Sequence, residues 1–455
     1  MASEWREVAV EEIKARTENA LATGPFGSSI GSRFFTESGV PVIRGSNLTG
    51  DIGIRLSDEG LVFLAAEKAH EFARSTVCDG DLVFTCWGTV NQVGLIDRRA
   101  RFREYVISNK QMKLTPDPDQ ADSLFLYYLF SGPELQHRIK NQSIGSSVPG
   151  FNLGQLRAMR IRIPEVGEQR AIAGVLGTLD DKIELNRRMN ETLEATARAL
   201  FKSWFVDFDP VRAKAEGRDP GLPKPLADLF PDSFEDSGLG EIPEGWPVGR
   251  FRDAVSLRKE TENPLETPEV EFSHFSIPSY DKGQAPKLEL GEAIKSLKFR
   301  VPADAVLMSK LNPEIERVWL ADVAGTGRPV CSTEFLVLLA KAPFGRSFVY
   351  SLARSVGFRR ELQGLATGTS KSHQRAQPEA VLNLQTILPN PETLSAFERI
   401  GGPLLQEALV GNRESRTLAA LRDKLLPKLI SGEVQVPGRP NVRPRAQDRD
   451  WKVST

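Results

Sequence analysis

The sequence predicts an α+β protein in which a mixed α/β domain occurs twice. Each copy is followed by a long helix, and the two helices pack as an antiparallel coiled coil. Three observations carry this. Landmarks of the first half recur in the second. After each copy, apolar residues keep helical spacing over a span far beyond an ordinary core helix. The chain has 455 residues, too many for one ordinary domain.

The repeat is read from three sets of residues in one register. Asp81-Leu82-Val83-Phe84 answers Asp304-Ala305-Val306-Leu307, and Phe125-Leu126-Tyr127-Tyr128-Leu129 answers Phe348-Val349-Tyr350-Ser351-Leu352. Gly145-Ser146-Ser147 then answers Gly368-Thr369-Ser370. With a small change of register, Ile163-Pro164 answers Leu388-Pro389, and Thr192-Leu193 and Leu200-Phe201 answer Thr417-Leu418 and Leu425-Leu426. Each copy opens near a tryptophan, Trp5 and Trp246. Between the landmarks the copies differ greatly, so they share a frame and not a surface.

Within each copy, short apolar runs bounded by Gly, Asp and Pro read as strands: Val40-Pro41-Val42-Ile43, Asp81-Leu82-Val83-Phe84 and Phe335-Leu336-Val337-Leu338-Leu339. Ser123 to Asn141 reads as helix, closed by the loop at Gly145. The first long helix places Ile172, Leu176, Leu179, Ile183, Met189, Leu193, Ala197, Leu200 and Trp204 on one stripe, with Asn186 on the seam. The second repeats it with Phe397, Ile400, Leu404, Ala408, Leu418, Leu421, Leu425 and Leu429. There, Gly401-Gly402-Pro403 and Gly411 should interrupt the run and Pro427 should kink the last turn. Leu179, Ile183, Leu193, Leu200, Leu404, Leu418, Leu421 and Leu425 are the expected packing positions. The resulting divisions are a first domain at 1–163, a helix at 164–206, a Pro-, Gly- and Asp-rich linker at 207–245, a second domain at 246–388, a helix at 389–432 and a disordered tail at 433–455. Arg439, Arg443, Arg445 and Arg449 make that tail basic.

Composition narrows the class. Hydrophobic residues are 40% and charged residues 26%, normal for a globular chain. No stretch approaches the roughly 20 apolar residues of a membrane span, and the start, Met1-Ala2-Ser3-Glu4-Trp5, lacks the pattern of a signal peptide. Three cysteines, Cys78, Cys86 and Cys331, and four scattered histidines make a disulfide framework or zinc site unexpected; a reducing cytoplasm fits. A net charge of -1 argues against coating nucleic acid by bulk electrostatics, though not against local contacts. Arg98, Arg99, Arg101 and Arg103 cluster, as do Arg157, Arg160 and Arg162; a solvated face is the plainer reading of each.

Catalytic signatures are missing together. There is no phosphate-binding loop ending in Lys-Ser/Thr. Asn263-Pro264-Leu265 and Asn312-Pro313-Glu314 are poor imitations of an amino-methyltransferase tetrad, and Pro116-Asp117 has no convincing nuclease partner. No catalytic residue, metal or cofactor is expected on this chain.

Several stretches resemble the specificity subunits of type I restriction–modification systems. Leu200-Phe201-Lys202-Ser203-Trp204-Phe205-Val206-Asp207-Phe208-Asp209-Pro210 is similar to the family's central conserved region, and Leu425-Leu426-Pro427-Lys428-Leu429-Ile430-Ser431-Gly432-Glu433 to its C-terminal conserved helix. Gly240-Glu241-Ile242-Pro243-Glu244-Gly245-Trp246 resembles the usual entry to the second recognition domain. Gly24-Pro25-Phe26-Gly27-Ser28, Ser309-Lys310-Leu311-Asn312-Pro313 and Ser332-Thr333-Glu334-Phe335 resemble pieces within the domains. The resemblance implies a non-catalytic subunit that binds double-stranded DNA through two target-recognition domains. It implies two methyltransferase subunits and restriction–translocase subunits as partners, which carry S-adenosylmethionine, ATP and magnesium. The helices would fix the gap of a bipartite target. Two other readings stand beside it: a self-sufficient restriction enzyme with an unrecognised site, and a coiled-coil scaffold with no DNA role.

Base reading needs donors and acceptors that reach groove edges. In the first domain the candidates are Arg44, Ser46, Asn47, Trp87, Asn91, Ser146 and Ser147. In the second they are Lys310, Asn312, Thr369, Ser370, Lys371, His373 and Arg375. The loops Gly145–Gly150 and Gly368–His373 are favoured, because a shared Gly-Ser/Thr-Ser start holds similar backbone while the residues after it differ.

Overall fold

Leu82, Val83, Phe84 and Thr85 are apolar or small at every position, so their strand can be buried on both faces. A computed structural model, which describes residues 5–142, 150–325, 327–367 and 374–436, shows this. All four side chains are buried in Leu82–Thr85, the strand at the centre of the first unit. That unit comprises Met1–Leu185 together with Glu414–Thr455; the second comprises Asn186–Arg413.

In the first unit, an antiparallel sheet runs Leu21–Thr23, Gln111–Leu114, Leu82–Thr85, Val93–Leu95. Period-two alternation sends Leu82 and Phe84 to one face and Val83 to the other. The first face packs on the helices Ser123–Ser131 and Pro133–Gln142 through Phe125, Leu126, Tyr128 and Phe130. Val83 packs with Ile43, Val77, Tyr105 and Ile107, which come from a five-stranded mixed sheet. Its order is Phe35–Thr36, Val62–Leu64, Val40–Ile43, Glu104–Ile107, Thr76–Cys78. The single helix expected from Ser123 to Asn141 is two. Gly132-Pro133 divides it, because Pro133 has no N–H to continue the first helix and suits the first turn of the next.

The second unit repeats the plan. Its antiparallel sheet runs Val255–Arg258, Phe335–Ala340, Val306–Ser309, Val318–Leu320, and the helices Arg346–Arg354 and Val356–Gly364 cover it. Its five-stranded sheet runs Lys287–Leu290, Glu271–Phe275, Arg328–Cys331, Lys298–Arg300, Thr261–Glu262. Both mixed sheets hold one parallel pair at the centre, Val40–Ile43 with Glu104–Ile107 and Glu271–Phe275 with Arg328–Cys331. The fifth strand is added at opposite edges, so the frame is shared and the rim is not.

The register corrects one landmark. Val306 pairs with Leu320 and Leu338 as Leu82 pairs with Leu95 and Leu114. Val306 therefore answers Leu82, and Ala305, not Asp304, answers the buried Asp81. Asp304 stands in a left-handed turn (φ 62°). A one-residue slip turns every side chain of a strand to the other face, so cross-strand pairing decides it.

Two expectations about the connecting segments also change. The stretch 207–245 is folded, with helices Asp209–Ala215 and Lys224–Ala227 and a hairpin Phe234–Ser237/Gly240–Pro243. Its Phe208, Val211 and Phe230 are buried with Trp246 against Phe201, Trp204, Phe205 and Phe397. Scattered aromatics supply the core that the Pro- and Gly-rich composition concealed. The second long helix runs unbroken as Pro391–Ile430, the same 40 residues as the first, Val166–Phe205. Pro403 sits on its exposed side while Leu394, Ala396, Phe397, Leu405 and Ala408 are buried. Tertiary packing therefore outweighs the helix-breaking propensity.

Each unit contains half of both helices, packed antiparallel. In the second unit Asn186 Nδ2 lies 3.5 Å from the Gly411 carbonyl and Asn190 Nδ2 donates to Asn412 Oδ1 at 2.8 Å. In the first, Arg422 Nη1 donates to Asp180 Oδ1 at 2.8 Å. Leu179, Ile183, Leu193, Leu200, Leu404, Leu418 and Leu425 are half-buried. Leu421 is 45% exposed and so is not a packing position; the buried neighbour is Arg422. Met189 and Ile400 also face outward. The stripe is displaced because polar residues, Asp180, Asn186, Asn190 and Arg422, occupy buried positions that an apolar count overlooks. The C-terminal half-helix completes the first core: Leu426, Leu429 and Ile430 pack with Ile172 and Leu176.

Candidate nucleic-acid interface

Past the end of Leu82–Thr85 the chain leaves the sheet but keeps backbone bonds on both sides. Cys86 N–H donates to the Lys110 carbonyl at 2.7 Å, and the Cys86 carbonyl accepts from Phe151 N–H at 2.8 Å. Trp87 bridges Gly150. A Cβ on Gly150 would stand 2.4 Å from the indole, so only glycine lets the ring lie there. Trp87 is nevertheless 51% exposed. It borders a cleft of about 620 Å³ whose lining includes Arg44, Ser46, Ser108, Asn109 and Lys110. Cys86, behind it, is buried, which pushes its thiol up to about 12 and removes it as a nucleophile.

The second unit builds the same ladder with other side chains. Lys310 stands where Cys86 stands: its N–H donates to the Glu334 carbonyl and its carbonyl accepts from Ala376 N–H, both at 2.9 Å. Leu311 bridges Arg375 as Trp87 bridges Gly150. Asn312, in a left-handed conformation (φ 49°), donates its N–H to the Gln374 carbonyl at 2.8 Å. Its Oδ1 has no hydrogen-bond partner among the described residues. Arg375 forks onto Glu334, with Nη2 2.9 Å and Nε 3.1 Å from the carboxylate. Hydrogen bonding to Glu334, and then its charge, raise the Arg375 pKa.

The structure thus brings Arg44, Ser46 and Trp87 to one cleft and sets Lys310, Asn312 and Arg375 along the matching ladder of the second unit. Asn47 does not join them. It is fully buried, accepting from Arg44 N–H at 2.9 Å and donating to the Ser57 and Glu59 carbonyls, and so clamps the loop that presents Arg44 and Ser46. Asn91 donates to Gln136 Oε1 at 2.8 Å, tying its hairpin to a helix. Ser146, Ser147, Thr369, Ser370, Lys371 and His373 lie outside the described residues, as does 437–455 of the tail. Of the described residues that adjoin these stretches, Gly150 in the first unit and Thr367 and Gln374 in the second are hydrogen-bonded to the ladders. Lys110, Asn109 and the 86%-exposed Phe26 escaped the sequence reading. Phe26 lies in the Gly24–Ser28 stretch noted above, but only strand pairing puts Lys110 beside Trp87.

The arginine clusters are largely internal to the units. Arg98 and Arg99 both pair with Asp181 of the first long helix, Arg157 with Glu11 at 3.3 Å, and Arg160 with Glu7 at 3.5 Å. Among the described residues no group of three His, Cys, Asp or Glu could hold a metal ion, and no helix is long and apolar enough to cross a membrane.

Exposed aromatic, amide and cationic groups on a rigid ladder are what contact with base edges and phosphates requires. Comparison with known proteins agrees. Residues 38–195 match the family model described as the type I restriction modification DNA specificity domain. The chain is 26% identical over 393 residues to the type I restriction enzyme HindI specificity subunit of Haemophilus influenzae, covering 72% of this chain and 81% of that one. It is also 26% identical over 329 residues to the MjaIX specificity subunit of Methanocaldococcus jannaschii, covering 70% of each. Residues 38–195 thus carry a type I restriction–modification DNA specificity domain, and the chain is similar along most of its length to type I specificity subunits. Its fold matches the crystal structure of the type I restriction–modification S subunit from M. genitalium, with a TM-score of 0.58 at 13% identity over 94% of this chain and 96% of that one. As a specificity subunit it has a DNA sequence-specificity role and is not itself catalytic.

Proposed function

We propose that each unit of this specificity subunit reads one half of a bipartite double-stranded DNA target, and that the long helices set the gap and dock two methyltransferase subunits. Restriction–translocase subunits join them, in the cytoplasm. S-adenosylmethionine, ATP and magnesium act on those partners. The observation that carries the reading is the repeated ladder with exchanged side chains. Cys86, Trp87 and Lys110 in one unit stand where Lys310, Leu311 and Glu334 stand in the other. Equal frames carrying unequal chemistry suit two different half-sites.

The test is domain exchange. The assembled complex, with residues 1–163 replaced by the matching domain of a relative, should methylate a motif changed in one half, with the other half and the gap intact. A wrong base pair costs about 1–3 kcal/mol, which methylation mapping resolves. Change in both halves, or in neither, refutes the reading.

A further inference from the structure

The two domains are fastened to their stretches of helix by ion pairs that do not correspond. In the first unit the domain supplies cations. Arg98 and Arg99 meet Asp181, with Arg99 Nε 3.1 Å from Oδ1. Arg55, which also pairs with Asp97, stands 4.0 Å from Asp180, and Tyr128 donates to Asp180. In the second unit Asp322 of the domain receives Arg413 of the helix, with Nη2 2.7 Å and Nε 3.1 Å from the carboxylate. Arg354 of the domain bonds Glu194 at 2.8 Å and Glu316 at 2.6 Å.

The frame makes the mismatch explicit. The two long helices align end to end, so Val166 answers Pro391. Asp180 and Asp181 are then answered by Leu405 and Gln406, and Glu194 by Ala419. On the domains, Asp97 is answered by Asp322, since Ile96 and Ala321 make the same backbone bond to Asp81 and Ala305. Arg98 and Arg99 are answered by Val323 and Ala324. Packed apolar faces tolerate small rotations, whereas forked ion pairs accept one geometry. Such pairs at the domain–helix seam therefore fix an angle more than they add stability.

We propose that Arg98, Arg99 and Asp181 in the first unit, and Asp322, Arg413, Arg354 and Glu194 in the second, are specificity-determining positioning residues. They set the angle at which each domain stands on its helices, and thereby the single gap length the subunit accepts. This rests on the half-site reading above.

The test uses the full chain assembled with its methyltransferase partner, on targets whose gap is one base pair shorter, native or one longer. Arg98→Glu with Arg99→Glu should reduce the preference for the native gap about tenfold, equivalent to about 1.4 kcal/mol. The bases read in both half-sites should not change. Adding Asp181→Arg should restore the preference. Asp322→Arg, with and without Arg413→Asp, should give the same pattern from the other unit. A variant that loses thermal stability but keeps native gap preference overturns the inference, as does failure of Asp181→Arg to rescue. If the unaltered complex recognises no bipartite target, the half-site reading fails instead.

Discussion

Trp87 and Lys110 are joined by one ladder yet suit different contacts. The indole lies against Gly150 and is half-exposed, which suits base contact, while Lys110 is exposed and suits phosphate. Trp87→Ala should lower affinity for the cognate target by about 1–3 kcal/mol and relax one position of one half-site, leaving the salt dependence unchanged. Lys110→Ala should weaken cognate and unrelated DNA alike and reduce the salt slope by about 1. Titrations of the assembled complex at several salt concentrations separate the two, and exchanged signatures would assign the residues the other way round.

At the scale of elements, the helix pair is organised by polar residues at its crossing. Gly411 faces Asn190, and a Cβ there would stand 2.5 Å from Asn190 Oδ1, whose amide is bonded to Asn412. Intrinsic propensity favours Gly411→Ala by about 1 kcal/mol. The close approach opposes it, because the Asn190 amide is buried and already engaged, and leaving it unpaired costs about 1–3 kcal/mol. We expect a net loss of about 1 kcal/mol in denaturant unfolding, largely removed when Asn190→Ala is added. Stabilisation by Gly411→Ala alone would show that Asn190 moves aside freely.

For the molecule as a whole, the first unit is closed by residues from the other end of the chain. Leu426, Leu429 and Ile430 lie in the same core as Leu82, Phe125 and Ile172, and Trp5 packs against Phe125 with Gly432 beside it. Leu426→Ala should therefore destabilise the first unit by about 2–5 kcal/mol although it lies far from it in sequence. Hydrogen exchange should show lost protection in strands such as Leu82–Thr85 and Gln111–Leu114. Loss confined to residues 391–413 would contradict this closure.

The repeat, the two long helices, the α+β class and the family resemblance were legible in the sequence, because all rest on local periodicity and on landmarks that keep their order. Tertiary structure decided what depends on partners distant in the chain. Cross-strand pairing moved the second copy's strand by one residue, since register belongs to the ladder. Aromatic packing turned 207–245 from a linker into part of a core, and the second long helix runs through Pro403 and Gly411 without a break. Of the candidate readers, Arg44, Ser46 and Trp87 were brought to one cleft, while Asn47 was withdrawn into a loop clamp. A polar residue in a loop reads the same in sequence whether its bonds turn inward or outward; the backbone that surrounds it makes the choice.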